Sequence, residues 1–239
     1  MDLQLVSLTG ADDLVDPAAL LALSKQFPLV EWAILSSQKM QGSSRYPTEA
    51  WVERFHATCP DVRKAVHLCG KDVDAFLASD PRILAKVRRF DRVQLNFNQR
   101  RQPKDLVALA RVANSLEQTI ILQHNSANAS LWPELRGKID RLVMLFDASG
   151  GRGASPHQGW PAMLEGAVCG YAGGLGPHNV ATELAIIAGI AAGQRFWIDM
   201  ESKLRAELDD RFLVDTCRAV LTAVKNTMAS LKVVENHYM

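Results

Sequence analysis

Val143-Met144-Leu145-Phe146 running into Asp147-Ala148-Ser149-Gly150-Gly151-Arg152-Gly153, Ala167-Val168-Cys169-Gly170-Tyr171 running into Ala172-Gly173-Gly174-Leu175-Gly176-Pro177, and Phe196-Trp197-Ile198 running into Asp199-Met200-Glu201-Ser202 decide the fold of this 239-residue chain. Each is a short apolar run that ends in a polar or glycine-rich turn. The middle turn opens a helix at Pro177, and the third stands ahead of the last helix. Glycines let backbone N–H groups close on an anion, and a helix N-terminus adds a favourable dipole. One such turn merely ends a strand. Three in succession point to an anion site, and in parallel barrels a phosphate sits in the loops after strands 7 and 8.

Outward from this stretch, strand and helix patterns alternate along the whole chain. Strands are expected over 3–8, 30–35, 65–69, 92–97, 119–123, 143–146, 167–171 and 196–198. Helices are expected over 17–25, 48–57, 71–78, 81–89, 105–117, 131–136, 158–164, 179–192 and 212–231. Asp16 and Thr48 are the N-caps expected for the first two. No hairpin signal such as Asn-Gly separates the strands. Eight strand-then-helix units are the arithmetic of a single α/β (β/α)8 TIM barrel with parallel strands, one domain over residues 1–239. A doubly wound open sheet would carry GxGxxG after its first strand, whereas here that strand runs into Thr9-Gly10-Ala11.

Composition narrows the function classes. A hydrophobic content of 48% and a net charge of +1 argue against disorder and against a nucleic-acid partner. Met1-Asp2-Leu3-Gln4 does not open a secretory leader, and the apolar run 184–193 is too short for a membrane span. Cys59, Cys69, Cys169 and Cys217 form no CxxC and read as reduced thiols. The expectation is a cytoplasmic protein with no membrane association, either a monomer or a homodimer.

With the turns placed, the chain resembles phosphoribosylanthranilate isomerase, a barrel of the tryptophan pathway. The specific match is Ala172-Gly173-Gly174-Leu175-Gly176-Pro177-His178-Asn179-Val180, beside the family's (A/S)GGLNPENV after strand 7. Leu145-Phe146-Asp147 ahead of Gly150-Gly151-Arg152-Gly153 is similar to the family's LLD…GG(S/T)G. Val93-Gln94-Leu95-Asn96 is similar to VQLH, and Gly42-Ser43-Ser44-Arg45-Tyr46 to the end of the loop after strand 2. Ile198-Asp199-Met200-Glu201-Ser202-Lys203-Leu204-Arg205 stands beside VDVSSGVE, with Lys203 and Arg205 in place of Gly and Glu. The family's first strand carries a cysteine base, where this chain has Val6 or Ser7.

The resemblance implies an Amadori rearrangement of a phosphorylated sugar, without cofactor or metal. An acid protonates the ring oxygen and a base takes the C2 proton. Asp147 matches the acid, Arg45 the residue that contacts the substrate carboxylate, and Gly151, Gly153, Gly173 and Gly174 the phosphate-binding backbone. Ser202 follows the strand 8 group that faces phosphate, and Asp199 the residue that orients a neighbour; Lys203 adds a positive charge. A replacement base is sought among Cys69, His67 and His124. His67 and Cys69 lie two apart and so face the same side of strand 3, and Lys71 stands close to Cys69 in sequence. His67, His124 and Asp147 also form a conceivable divalent-metal set, although strand 2 lacks the Asp and His that metal-dependent barrel epimerases carry. The pairs Arg88-Arg89 and Arg100-Arg101 read as solvated surface. An epimerase or lyase on the same barrel, and a non-catalytic phosphometabolite-binding barrel, are the alternatives.

Overall fold

The computed structural model describes residues 1–147 and 159–237, with side chains through residue 231. Eight parallel strands close on themselves in chain order. They are β1 (Asp2–Thr9), β2 (Val30–Ser36), β3 (Lys64–Cys69), β4 (Arg92–Asn96), β5 (Thr119–His124), β6 (Leu142–Asp147), β7 (Cys169–Ala172) and β8 (Arg195–Met200). The helices are α1 (Pro17–Gln26), α2 (Glu49–Thr58), α3 (Lys71–Leu77), α4 (Pro81–Val87), α5 (Leu106–Asn114), α6 (Leu131–Leu135), α7 (Val180–Ala191) and α8 (Val214–His237), with a short 3-10 turn at Ser202–Leu204. Asp16 caps α1 by accepting from the Ala18 N–H at 2.9 Å, and Thr48 caps α2 by accepting from the Trp51 N–H at 3.2 Å. Each satisfies a donor that the first helical turn leaves open.

One expected helix does not form. Residues 159–164 are irregular, with Gly159 at φ +80° and Pro161 lacking a donor. The segment is tied down by side chains instead: the Trp160 indole donates to Glu183 at 2.6 Å and the Tyr171 hydroxyl to the Pro161 carbonyl at 3.2 Å.

Successive strand residues face opposite sides, which divides the barrel into two chemistries. Leu8, Trp32, Ile34, Leu68, Leu95, Phe196 and Ile198 point outward and pack with Leu20, Trp51, Phe55 and Phe76 of the helices in one continuous apolar layer. Inside, Leu5, Ile121, Val143, Leu145 and Trp197 form a small separate cluster. Gly170 makes room for it, since a Cβ there would overlap the Trp197 ring. Beside the Trp197 indole the interior turns polar: the Arg92 guanidinium lies 4.6 Å over the ring and makes a two-point ion pair with Glu31 at 2.6 and 2.7 Å. The Ser7 hydroxyl donates to the same carboxylate at 2.9 Å. Burial of two charges is tolerated because the fork geometry fills both carboxylate oxygens.

Candidate active site

Two residues further along the strands, at their C-terminal ends, the interior opens into a cavity enclosing about 530 Å³ with its solvent mouth. Its walls include His67, Gln94, Gln123, Asp147, Asp199 and Glu201. The placement follows from strand parity: Ile121 leads to Gln123, Leu145 to Asp147 and Trp197 to Asp199, each pair on the inward face.

Asp147 pairs in register with Ala172, and Ala172 with Asp199. The two carboxylates are thus in register, on strands separated by ~10 Å at two strand spacings. Gln123 Nε2 donates to Asp147 at 3.0 Å, and the Thr9 hydroxyl to Asp199 at 3.2 Å. His67 Nε2 reaches to 3.9 Å from Asp199, an ion-pair distance, yet burial penalises both charged forms. Burial and the nearby Arg92 lower His67 to about 3, while burial and the nearby Glu31 and Glu201 push Asp199 up to about 7. The pair is therefore a neutral imidazole beside a carboxyl that titrates near neutrality, and His67 Nε2 has no hydrogen-bond partner among the described residues.

The cavity also holds the glycine turn. Gly173 and Gly174 line it with φ of +132° and +64°, values that suit glycine. The Asn179 side chain pins the turn, donating to the Gly174 carbonyl at 3.0 Å and accepting from the Gly176 N–H at 2.9 Å. A Cβ on Gly176 would lie 2.6 Å from the Lys203 Cβ, so glycine there lets the β8 loop close against the β7 loop. Ser202 and Lys203 complete this side of the cavity. Gly151 and Gly153 lie outside the described residues.

The remaining candidates are placed differently. Cys69 faces inward as its spacing from His67 predicts, but its sulfur accepts from the Asn96 amide at 3.3 Å, and burial raises its thiol pKa, with no cation among the causes. His124 follows the inward Gln123 and so faces outward, its ring edge-to-face with Phe146 at 5.3 Å. It does not line the cavity. Arg45 does not line it either. All three of its guanidinium nitrogens are taken, two by Asp210 at 2.6 and 2.9 Å and one by Glu201 at 2.7 Å. Arg88, Arg89, Arg100 and Arg101 are exposed, and Arg89 pairs with Glu53. Among the described residues no cluster of three or more His, Cys, Asp or Glu is arranged to hold a metal, and no helix is long and apolar enough to cross a membrane.

Sequence reasoning missed Glu31, Arg92, Gln94 and Glu201. The available signal was a charged residue within a strand: Glu31 interrupts the apolar run 30–35, and Arg92 opens the apolar β4.

No protein-family model and no curated protein sequence matches the chain. Solved structures do match its fold. A monomeric variant of the dimeric phosphoribosylanthranilate isomerase from Thermotoga maritima superposes with a TM-score of 0.62 at 15% identity, covering 94% of this chain and 99% of that one. A phosphoribosylanthranilate isomerase in complex with reduced 1-(o-carboxyphenylamino)-1-deoxyribulose 5-phosphate gives 0.59 at 14% identity, over 95% and 100%. The phospho-2-dehydro-3-deoxyheptonate aldolase of Thermotoga maritima gives 0.55 at 9% identity, over 96% and 70%. At such identities the likeness establishes the (β/α)8 barrel that these enzymes share with this chain, and the fold hosts many chemistries.

Proposed function

We propose that the chain is a sugar-phosphate isomerase that converts an aldose phosphate, in its N-glycoside form, to the ketose. The observation that carries this reading is the pair Asp147 and Asp199, in register through Ala172 and beside the glycine turn. Gly173, Gly174, Ser202 and Lys203 hold the phosphate. Asp147 protonates the ring oxygen as the C1–O bond breaks. Asp199, titrating near 7, takes the C2 proton, since a base is most effective with a pKa near the working pH. The enolamine so formed tautomerises to the ketone. Neutral His67 donates to the substrate hydroxyls or to the Asp199 carboxylate. The rearrangement is redox-neutral and internal, so its balance requires no further reactant. Fold neighbours that act on phosphoribosylanthranilate support the reaction class.

Schiff-base aldolase chemistry is disfavoured by position. Lys64 is the lysine within a strand, and its ammonium donates to the carbonyls of Pro60 and Val62 at the opposite end of the barrel.

The test is deuterium incorporation from D2O at C1 of the ketose product and at C2 of recovered substrate, followed by NMR across aldose 5-phosphates and their N-glycosides. Wild type is expected to exchange with at least one of them. Asp147→Asn and Asp199→Asn are each expected to lose roughly 10²- to 10⁴-fold in rate with inorganic phosphate binding retained. Phosphate binding without exchange on any substrate would replace the isomerase by a binding barrel.

A further inference from the structure

The cavity is asymmetric in charge. At the glycine turn stands Lys203, the one Lys or Arg among the described residues lining it. The other polar side chains of the wall are His67 and Ser202, the amides Gln94, Asn96 and Gln123, and the acids Asp147, Asp199 and Glu201. Along its edge the β8 loop presents Glu201, Ser202 and Lys203 to the cavity; Lys203 packs against Gly176 of the glycine turn, whereas the Glu201 carboxylate is turned toward Arg45, with Arg205 behind. Arg45 is held by Glu201 and Asp210, and its own N–H donates to Asp12 at 3.0 Å. Arg205, buried, donates to Asp12 at 2.7 Å, to the Asp210 carbonyl and to the Gly10 carbonyl. Three carboxylates (Asp12, Asp210, Glu201) thus consume two guanidiniums, and neither arginine keeps a free fork for an incoming anion.

We propose that the ligand of this cavity is a phosphorylated polyhydroxy compound whose end remote from the phosphate is uncharged, and that Glu201 excludes a carboxylate at that end. The inference rests on reading the glycine turn as the phosphate site. Two buried atoms on residues lining the cavity favour hydroxyls there: His67 Nε2 and Gln94 Oε1 lack hydrogen-bond partners among the described residues. A hydroxyl both donates and accepts, and so suits either atom; a carboxylate only accepts. A carboxylate entering at this edge would face Glu201, or would have to strip Arg45 from it and leave a mostly buried acid unpaired. Burial already raises the pKa of Glu201 against the pull of Arg45. This departs from the fold neighbour whose bound ligand carries both a carboxyl and a phosphate.

The discriminating pair of probes is ribitol 5-phosphate and 5-phosphoribonate, which differ only in an uncharged hydroxymethyl against a carboxylate. Binding is measured by calorimetry at pH 8, with inorganic phosphate as the reference. Wild type is expected to favour ribitol 5-phosphate by about tenfold or more, because like charges placed together at a binding surface are costly. Glu201→Gln removes the charge, and Asp210→Asn loosens Arg45 from outside the cavity. Each variant is expected to narrow that ratio severalfold. Equal or tighter binding of 5-phosphoribonate to wild type would overturn the inference and leave the phosphate site standing. An unchanged ratio in both variants would remove Glu201 as its source and overturn the inference as well. Failure of inorganic phosphate and of both probes to bind would overturn the phosphate reading together with it.

Discussion

The two faces of this barrel wall solve opposite problems. Outside, Trp32, Leu68 and Phe196 pack against helices in an apolar layer whose stabilisation scales with buried area. Inside, strand positions carry Ser7, Glu31 and Arg92, and the cavity wall carries Gln94, His67, Asp147 and Asp199. The same strands therefore hold the fold together with one face and place polar groups with the other. A buried ion pair seldom outweighs a well-packed apolar substitute. Its value here is positional, since Arg92 sits over Trp197, adds to the lowering of the His67 pKa by burial, and offsets part of the rise at Asp199.

The sharpest way to break this contrast is to orphan one inner charge. Arg92→Met leaves Glu31 buried and unpaired, and is expected to cost about 3–5 kcal/mol in urea unfolding. The double variant Glu31→Leu with Arg92→Met is expected to recover most of that loss, while burial, the largest cause of the raised Asp199 pKa, stays in place.

A pH series separates the faces next. The folded-state pKa of Asp199 is raised above its unfolded value, so the folded state holds the proton more tightly. Its contribution to stability is full below ~4 and is lost as pH rises through about 7. Asp199→Asn is therefore expected to gain roughly 2–3 kcal/mol on wild type between pH 5 and pH 8, read by chemical denaturation at each pH. His67 runs the other way. Its folded-state pKa is lowered, so its contribution is full above ~6.5 and is lost as pH falls through about 3.

Steric tests follow with smaller effects. Gly170→Ala drives a methyl into Trp197 and is expected to cost about 1–3 kcal/mol. On the outer face Ile34→Val removes a single methylene from the apolar layer, with an expected cost of about 0.5–1.5 kcal/mol and no pH dependence. Thermal denaturation of the two at pH 5 and pH 8 checks both.

The strands and most helices are legible in the chain because their signals are local: apolar runs, the capping residues Asp16 and Thr48, and the glycine turn after β7. What is not local was hidden. Glu31 and Arg92 are 61 positions apart, and nothing short-range pairs them. Ile120, Ile121 and Leu122 are all apolar, so the face on which His124 lies has no sequence signature. Asp199 read as a residue orienting a phosphate neighbour, because its likeness to a carboxyl titrating near 7 depends on burial beside Glu31 and Glu201. The glycine and proline around Trp160 outweighed its apolar periodicity, and no helix forms over 159–164.

Trp197 gives the interior an optical handle. Its indole is stacked by the Arg92 guanidinium at 4.6 Å, and its Nε1 meets no acceptor among the described residues. Indole fluorescence responds to nearby charge, so the emission of Trp197 reports the charge state of the inner ring directly. With Trp32, Trp51, Trp132 and Trp160 replaced by phenylalanine, proton uptake at Asp199 and occupation of the cavity above it can then be followed in real time.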